Sequence, residues 1–175
     1  MLFEVYSDGS ATTADKPGGY AYVICRDGVK IGEGSGHLPK ATNNVAEITA
    51  AIRGLEALAV SREFQPNPGA DDAQHGESDG NRVVLVSDSQ LVLRYATGEY
   101  QCRKYHLVPL YISLKKIYRQ LGAETRWVRG HSGDEHNERC DVLAKAAREA
   151  RPGSAVGIQQ DSDDKASSSL NKTTG

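Results

Sequence analysis

Two short apolar stretches of the chain finish on a carboxylate. In VVLVSDSQ, residues 83–90, an aliphatic run leads into Asp88, and LFEVYSDGS, residues 2–10, leads into Asp8 in the same way. We expect each acid to end its strand. A charge beside a buried strand is costly unless it is paired or bound to a cation. The two acids therefore predict a site in which carboxylates share a cation.

Two further acids lie on predicted helices that would pack against these strands. In a helix over 44–60, Glu47 shares one face with small and apolar residues, which would let the helix approach a sheet closely. In a helix over 134–150, Asp141 is expected beside an apolar line at the sheet-facing border. These neighbours are Ala51, Gly54 and Leu58 on the first helix, and Val142, Leu143, Ala146 and Ala147 on the second.

Four carboxylates are thus expected at one edge of the sheet, and carboxylate oxygens suit Mg²⁺ or Mn²⁺. About two divalent ions would offset their charge, and two ions about 4 Å apart can activate a water and stabilise a leaving oxygen in phosphoryl transfer. A plainer reading exists for single residues: Asp88 also fits a helix N-cap, and Glu47 a partner of the helix dipole. Only the four acids together favour the metal site.

The elements that must position these acids form one folded unit over 1–150. A hairpin-rich start followed by strand–helix–strand crossovers predicts an α/β fold, with a mixed sheet and helices on its faces. Along the chain we predict a strand at 2–7, a hairpin of Tyr20–Arg26 and Lys30–Ser35 turning at Asp27-Gly28, the helix 44–60, a strand at 82–87, helices at 89–96 and about 105–121, a strand at 124–130 and the helix 134–150.

Two segments are too polar to contribute to a core. Residues 65–81 carry four acids and no Lys or Arg, and we expect a mobile acidic insertion there. Residues 151–175 are rich in Ser and Asp and are expected to be disordered.

The bulk composition excludes several classes of protein. A net charge of -2 gives no overall sign of a nucleic-acid or membrane-surface protein. Three cysteines without CxxC spacing argue against a disulfide framework or a zinc site and favour a reducing, cytoplasmic location. The apolar runs are too short to span a bilayer, and the N-terminus lacks a signal-peptide layout, so we expect no membrane partner. We also expect a monomer.

Charge is nevertheless segregated along the chain, because residues 94–129 hold eight Lys or Arg residues against Glu99 and Glu124. We call these eight residues the basic strip, and such a strip can neutralise phosphates. An ordinary solvated helix face with core aromatics is the alternative, and we prefer it for Tyr111, Ile112, Ile117 and Trp127. The basic strip consists of Arg94, Arg103, Lys104, Lys115, Lys116, Arg119, Arg126 and Arg129.

Five motifs stand in order along the chain: YSDGS at 6–10, GGYAYVI at 18–24, TNNVAEITAAIRGLEAL at 42–58, VSDSQ at 86–90 and WVRGHSGDEHNERCDVLAKAA at 127–147. Together they resemble ribonuclease H of type 1, the RNase HI family, over nearly all of 1–150. The resemblance implies the ribonuclease H fold: a five-stranded mixed sheet, three antiparallel strands then two parallel, with helices on both faces. It also implies endonucleolytic cleavage of the RNA strand of RNA/DNA hybrids.

The resemblance also implies roles for single residues. His131 matches a catalytic-loop histidine that helps proton movement and product release, where the plain alternative is a surface histidine. Contacts to the nucleic acid are implied for Asn43, Asn44 and Gln90, whose amides can read a 2′-hydroxyl, and for Thr42 at a phosphate. Helix capping is the alternative for the two asparagines. The implied catalytic quartet, holding two Mg²⁺ with Mn²⁺ as an alternative ion, is Asp8, Glu47, Asp88 and Asp141.

This sequence departs from the family pattern in three places. The loop after DGS reads ATTADKPGGY, residues 65–81 replace a short connection, and residues 97–123 lack a basic handle helix. The chain therefore resembles the compact, handle-free members. Two other functions remain open at this point: another nuclease of the wider superfamily, and a catalytically inactive hybrid-binding module.

Overall fold

The computed structural model describes residues 1–65 and 80–150 and contains a five-stranded sheet in the order β3-β2-β1-β4-β5. The first three strands pair antiparallel, and β4 and β5 add in parallel to β1. The predicted mixed sheet is confirmed. The elements are β1 (Leu2–Ala11), β2 (Gly18–Arg26), β3 (Val29–Leu38), α1 (Asn43–Ala59), β4 (Arg82–Ser87), α2 (Gln90–Thr97), a 3-10 turn (Tyr105–Leu107), α3 (Val108–Gln120), β5 (Glu124–Trp127) and α4 (Glu135–Glu149).

Helices cover both faces of the sheet and divide the core in two. On one face, Phe3 and Val5 of β1 pack with the buried residues of α1, α2 and α3. On the other face, Tyr6 packs with Cys140 and Ala144 of α4. Alternate residues of β1 therefore serve the two cores, as the period-two geometry of a strand requires.

Glycines allow α1 to lie directly on β1. A Cβ added to Gly54 would stand 2.6 Å from a methyl group of Val5, and one added to Gly9 would stand 2.3 Å from the backbone nitrogen of Glu47. Since no side chain fits at either place, the first turns of α1 contact the strand that carries Asp8. This close approach confirms the prediction that small residues let α1 lie close to the sheet.

The predicted end of β1 at Asp8 is wrong, because the strand continues to Ala11. Parallel pairing with β4 stops at Tyr6 opposite Val86, but antiparallel pairing with β2 continues from Asp8 to Ala11. Pairing with β2 therefore continues β1 beyond the residue at which pairing with β4 ends. The predicted turn at Asp27-Gly28 is confirmed, with φ values of 49° and 80°.

The sheet-facing line predicted for α4 is only partly correct. Ala147 is buried and Leu143 packs against the core, but Val142 is 56% exposed and Ala146 is exposed as well. The reason is steric: a Cβ on Gly19 of β2 would stand 2.1 Å from the carbonyl oxygen of Ala144, so only a face of small residues fits there. Asp141 still lies at the border of that face. The buried residues of α4 are Asn137, Cys140, Ala144 and Ala147.

Two predictions about the ends of elements need smaller corrections. The last strand ends at Trp127 rather than at residue 130, and the helix predicted from about 105 begins as a 3-10 turn before α3. Residues 66–79 and 151–175, which hold most of the predicted insertion and the predicted tail, lie outside the described residues. The two described ends of the insertion meet, since Asn81 Nδ2 donates to the carbonyl oxygen of Gln65 at 2.9 Å.

No helix among residues 1–65 and 80–150 is both long enough and apolar enough to cross a membrane. Cys25, Cys102 and Cys140 are free thiols, in agreement with the absence of a disulfide framework expected from the sequence.

Candidate active site

The charges of the four predicted acids meet at Asp8. This side chain is only 8% exposed, and its pKa is raised from 3.8 to about 7. Burial is the largest cause, followed by the negative charges of Asp88, Asp141 and Glu47, while the Gly9 N–H that donates to Oδ1 acts in the opposite direction. Four carboxylates from β1, α1, the end of β4 and α4 therefore lie close enough to repel one another.

Glu47 is held by a hydrogen bond at each carboxylate oxygen. Asn43 Nδ2 donates to Oε1 at 2.7 Å, and Ser89 Oγ donates to Oε2 at 2.6 Å. Burial raises the pKa of Glu47, the two hydrogen bonds lower it, and the charge of Asp88 raises it. The sequence analysis did not predict a role for Ser89, whose place before α2 indicates only a helix N-cap.

Asp88 follows β4 and is enclosed by the segment between β5 and α4. Trp127 Nε1 donates to its backbone carbonyl at 3.1 Å, and Asn137 Nδ2 reaches Oδ2 at 3.5 Å. A Cβ on Gly130 would stand 2.7 Å from the same Oδ2. Gly130 therefore lies against the carboxylate of Asp88, and a larger residue at position 130 would not fit. Trp127 is 50% exposed, so its interpretation as a core aromatic was wrong.

Asp141 has a cation within its own helix. Lys145 Nζ lies 2.6 Å from Asp141 Oδ2 in an i, i+4 pair, and this hydrogen bond is the main cause of the raised pKa of Lys145. The acid faces inward enough for its charge to act on Asp8. One of the four carboxylates thus has its charge partly compensated by the protein.

The chemistry of the four acids fits a divalent cation, because hard oxygen donors surround a buried carboxylate whose negative charge is poorly balanced. As the side chains lie, however, no group of three or more His, Cys, Asp or Glu residues in the described part of the chain is arranged so that it could hold a metal ion. Glu47 is engaged by Asn43 and Ser89, and Asp141 by Lys145. A metal would compete with Lys145 for Asp141.

His131 lies on the loop that borders this cluster. The residue is exposed and has a φ of 53°, a left-handed conformation that costs a non-glycine residue about 1–2 kcal/mol. Its neighbour Gly130 contacts Asp88, and the side chain of Asp134 begins α4 by accepting from the Asn137 N–H at 3.0 Å. The loop is therefore anchored at both ends while the imidazole faces solvent.

The residues implied in nucleic-acid contacts cluster at the N-termini of two helices. Thr42 is the N-cap of α1 and accepts from the Val45 N–H at 3.2 Å, so the capping role offered as an alternative for the two asparagines belongs to Thr42. Asn43 and Asn44 open α1, and Gln90 opens α2 with an exposed side chain. The bond between Ser89 and Glu47 joins these two helix ends beside the acids.

Some cations of the basic strip are paired with acidic side chains. Arg126 pairs with the buried Glu4 at 2.7 Å, and Arg94 lies 3.4 Å from Glu99. Tyr111 and Ile117 pack on the core as expected, but Ile112 is 59% exposed and that expectation was wrong. A surface groove along α3 contains three of the strip's cations; it is lined by Tyr111, Ile112, Lys115, Lys116, Arg119 and Gln120.

Comparisons with known proteins agree with this fold. The RNase H family model matches residues 2–149. A ribonuclease H of Syntrophotalea carbinolica is 32% identical over 157 residues, which is 83% of this chain and 90% of the relative. The ribonuclease HI of Shewanella oneidensis is 32% identical over 162 residues, 86% of this chain and 90% of the relative.

Solved structures of ribonucleases H have the same fold. RNase H1 from the halophilic archaeon Halobacterium salinarum superposes with a TM-score of 0.63 at 26% identity, over 84% of this chain and 97% of the other. LC11-RNase H1, solved in complex with an RNA/DNA hybrid, superposes with a TM-score of 0.63 at 26% identity, over 83% and 96% of the two chains. By sequence and by fold, the chain belongs to the ribonuclease H family.

Proposed function

We propose that this protein is an endoribonuclease that hydrolyses the RNA strand of RNA/DNA hybrids, leaving 5′-phosphate and 3′-hydroxyl ends. The observation that carries the proposal is the convergence of four carboxylates on the buried Asp8, within a chain of the ribonuclease H family. The hybrid bound to the similar LC11-RNase H1 supports the choice of substrate.

The family generally uses divalent metal ions. For this chain we propose two Mg²⁺ ions, with Mn²⁺ as an alternative, held by Asp8, Glu47, Asp88 and Asp141. When bound, such ions activate a water and stabilise the leaving oxygen. The raised pKa of Asp8 supports this assignment: burial is its largest cause and repulsion by the other three acids adds to it, and a cation among the four carboxylates would offset that repulsion.

The remaining work falls to side chains around the acids. His131, on an exposed loop against Asp88, is proposed to carry protons to and from solvent and to help the product leave. Asn43, Asn44 and Gln90 are proposed to recognise ribose, since an amide can both donate to and accept from a 2′-hydroxyl. Thr42 is proposed to contact a phosphate from the same edge of α1.

We assign the grip on the hybrid to those cations of the basic strip that form no ion pair within residues 1–65 and 80–150. Arg126 and Arg94 have acidic partners, which leaves the groove along α3 as the stronger candidate for phosphate contacts. We further propose that the enzyme works as a monomer in the cytoplasm. Its three free cysteines support a reducing compartment.

The decisive experiment uses one strand with a few ribonucleotides inside DNA, paired to DNA, with and without Mg²⁺. Metal-dependent cleavage at or beside the ribonucleotides is the expected result. Equal cutting in the all-DNA flanks would indicate another nuclease of the superfamily. Tight binding of the hybrid without any cleavage would indicate an inactive hybrid-binding module.

A further inference from the structure

Ser89 makes the contact that joins the two helix ends of the acid cluster. Its hydroxyl donates to Glu47 Oε2 at 2.6 Å, across 42 residues of sequence. The same oxygen accepts from the Val92 N–H at 3.4 Å and so caps α2. A neutral hydroxyl bound to a carboxylate forms a short, charge-assisted bond, whereas a capping bond of 3.4 Å lies outside the usual range. The contact with Glu47 is therefore the stronger of the two.

We propose that Ser89 is a positioning residue for metal binding, because its hydrogen bond limits the orientations from which the Glu47 carboxylate can bind the ion. This inference rests on the proposed two-metal function. It assigns to Ser89 a role in the affinity of the site for the ion, in addition to its role in starting α2. We propose no direct contact between Ser89 and the substrate or the ion.

Glu47 needs such a partner because of where it lies. Its backbone is fixed, since the first turns of α1 press on Gly9, but its side chain has three rotatable bonds. Asn43 holds Oε1 from the same helix, and Ser89 holds Oε2 from another element, so together they fix the plane of the carboxylate. Partners that orient a metal-binding carboxylate are typically worth about 10–100-fold in metal affinity.

Three substitutions separate positioning from capping. Ser89→Ala removes the hydroxyl and is a poor N-cap, whereas Ser89→Gly removes the hydroxyl but remains an acceptable N-cap. Ser89→Thr keeps the hydroxyl and the capping ability. Mg²⁺ binding to each full-length variant is measured by calorimetry without nucleic acid, melting is followed by circular dichroism, and kcat and KM are measured on a hybrid.

We expect Ser89→Ala and Ser89→Gly to bind Mg²⁺ about tenfold more weakly than wild type and Ser89→Thr to restore the affinity. At subsaturating Mg²⁺, kcat should fall with KM for the hybrid unchanged. The inference is overturned if Ser89→Gly binds Mg²⁺ as wild type does, which would leave only a capping role. It is also overturned if KM rises while Mg²⁺ affinity is kept.

Failure of the proposed function itself has a different signature. A wild-type protein that binds no Mg²⁺ and cleaves no hybrid would overturn both proposals together. A wild-type protein that binds Mg²⁺ and cleaves the hybrid, with Ser89→Ala indistinguishable from it in both assays, would overturn the role of Ser89 alone.

Discussion

Replacing Asp8 with Asn tests the electrostatics of the acid cluster directly. The side chain is buried, and its Oδ1 accepts from the Gly9 N–H at 2.8 Å, a bond that the amide oxygen of Asn can also accept. The substitution therefore keeps the shape and the local hydrogen bond but removes one negative charge from a group of four. A gain in stability without metal, together with a loss of activity, is the expected outcome.

The size of the gain follows from the pKa of Asp8, which rises from 3.8 to about 7 in the folded protein. Because the folded state favours the protonated form, the penalty is absent below about pH 4, grows as pH rises, and is complete above about pH 7. A shift of about three pKa units corresponds to about 4 kcal/mol. At about pH 8 and without metal, Asp8→Asn should be more stable than wild type by up to that amount.

The assay is thermal melting in a chelator from about pH 4 to pH 8, repeated in millimolar Mg²⁺. For a chain of this size, 1 kcal/mol moves Tm by about 2–4 °C, so the gain at high pH reaches about 10 °C and disappears toward pH 4. In Mg²⁺ the wild type should gain more stability than the variant, because ion binding to the folded state is lost with the ligand.

A matched control is Asp27→Asn in the β2–β3 turn. Asp27 Oδ1 accepts from the Leu2 N–H at 2.8 Å, far from the other acids, and Asn-Gly suits this turn equally well. The control should not melt higher than wild type in chelator, because it removes a charge from outside the acid cluster. The reasoning is refuted if Asp8→Asn melts no higher than wild type at high pH in chelator, or if it still cleaves a hybrid at a rate near that of wild type.

Four further predictions address neighbouring features. Asp88→Asn should lose cleavage by orders of magnitude at millimolar Mg²⁺ while melting no lower than wild type in chelator; near-wild-type cleavage would contradict its place in the site. Gly130→Ala places a Cβ 2.7 Å from Asp88 Oδ2, so kcat should fall more than stability does, and an unchanged kcat would show that the loop yields instead. Deleting 151–175 should change kcat/KM by less than about tenfold, or 1.4 kcal/mol of transition-state stabilisation, in a steady-state assay. Neutralising four cations together should raise KM and flatten its salt dependence with kcat kept, and an unchanged salt dependence would mark an ordinary solvated face; the four are Arg103, Lys104, Lys115 and Lys116.

The spacing of residues along the sequence was sufficient to predict which face of α1 packs against the sheet. The inward face of α1 followed from Glu47, Ala51 and Gly54, because the period of a helix and the size of its residues decide which face can approach a strand. The contact between Gly54 and Val5 bears this out. On α4 the same reasoning correctly chose Ala147, but it also chose the exposed Val142 and overlooked Cys140, since it did not include the need for small residues opposite Gly19.

Contacts between distant segments could not be predicted in this way. Ser89 and Glu47 are 42 residues apart, and nothing in the spacing of either indicates that their side chains meet. The bond between Lys145 and Asp141, by contrast, is an i, i+4 pair and could have been read from the sequence. What the sequence lacked was therefore the orientation of the acids rather than their approximate location.

The continuation of β1 beyond its pairing with β4 explains how Asp8 and Asp88 come to lie at the same point of the sheet. Parallel pairing between β1 and β4 ends at Tyr6 opposite Val86, and each strand reaches its acid two residues later. Beyond that point the carboxyl ends of two parallel strands separate, and such a crevice is where open α/β sheets bind ligands. Asp8 is kept in place by its continued pairing with Ala21 of β2, while Asp88 turns away into α2. The backbone of Asp8 is thus held by its pairing with β2, and the backbone of Asp88 by the start of α2. The two carboxylates therefore stay close together although their charges repel.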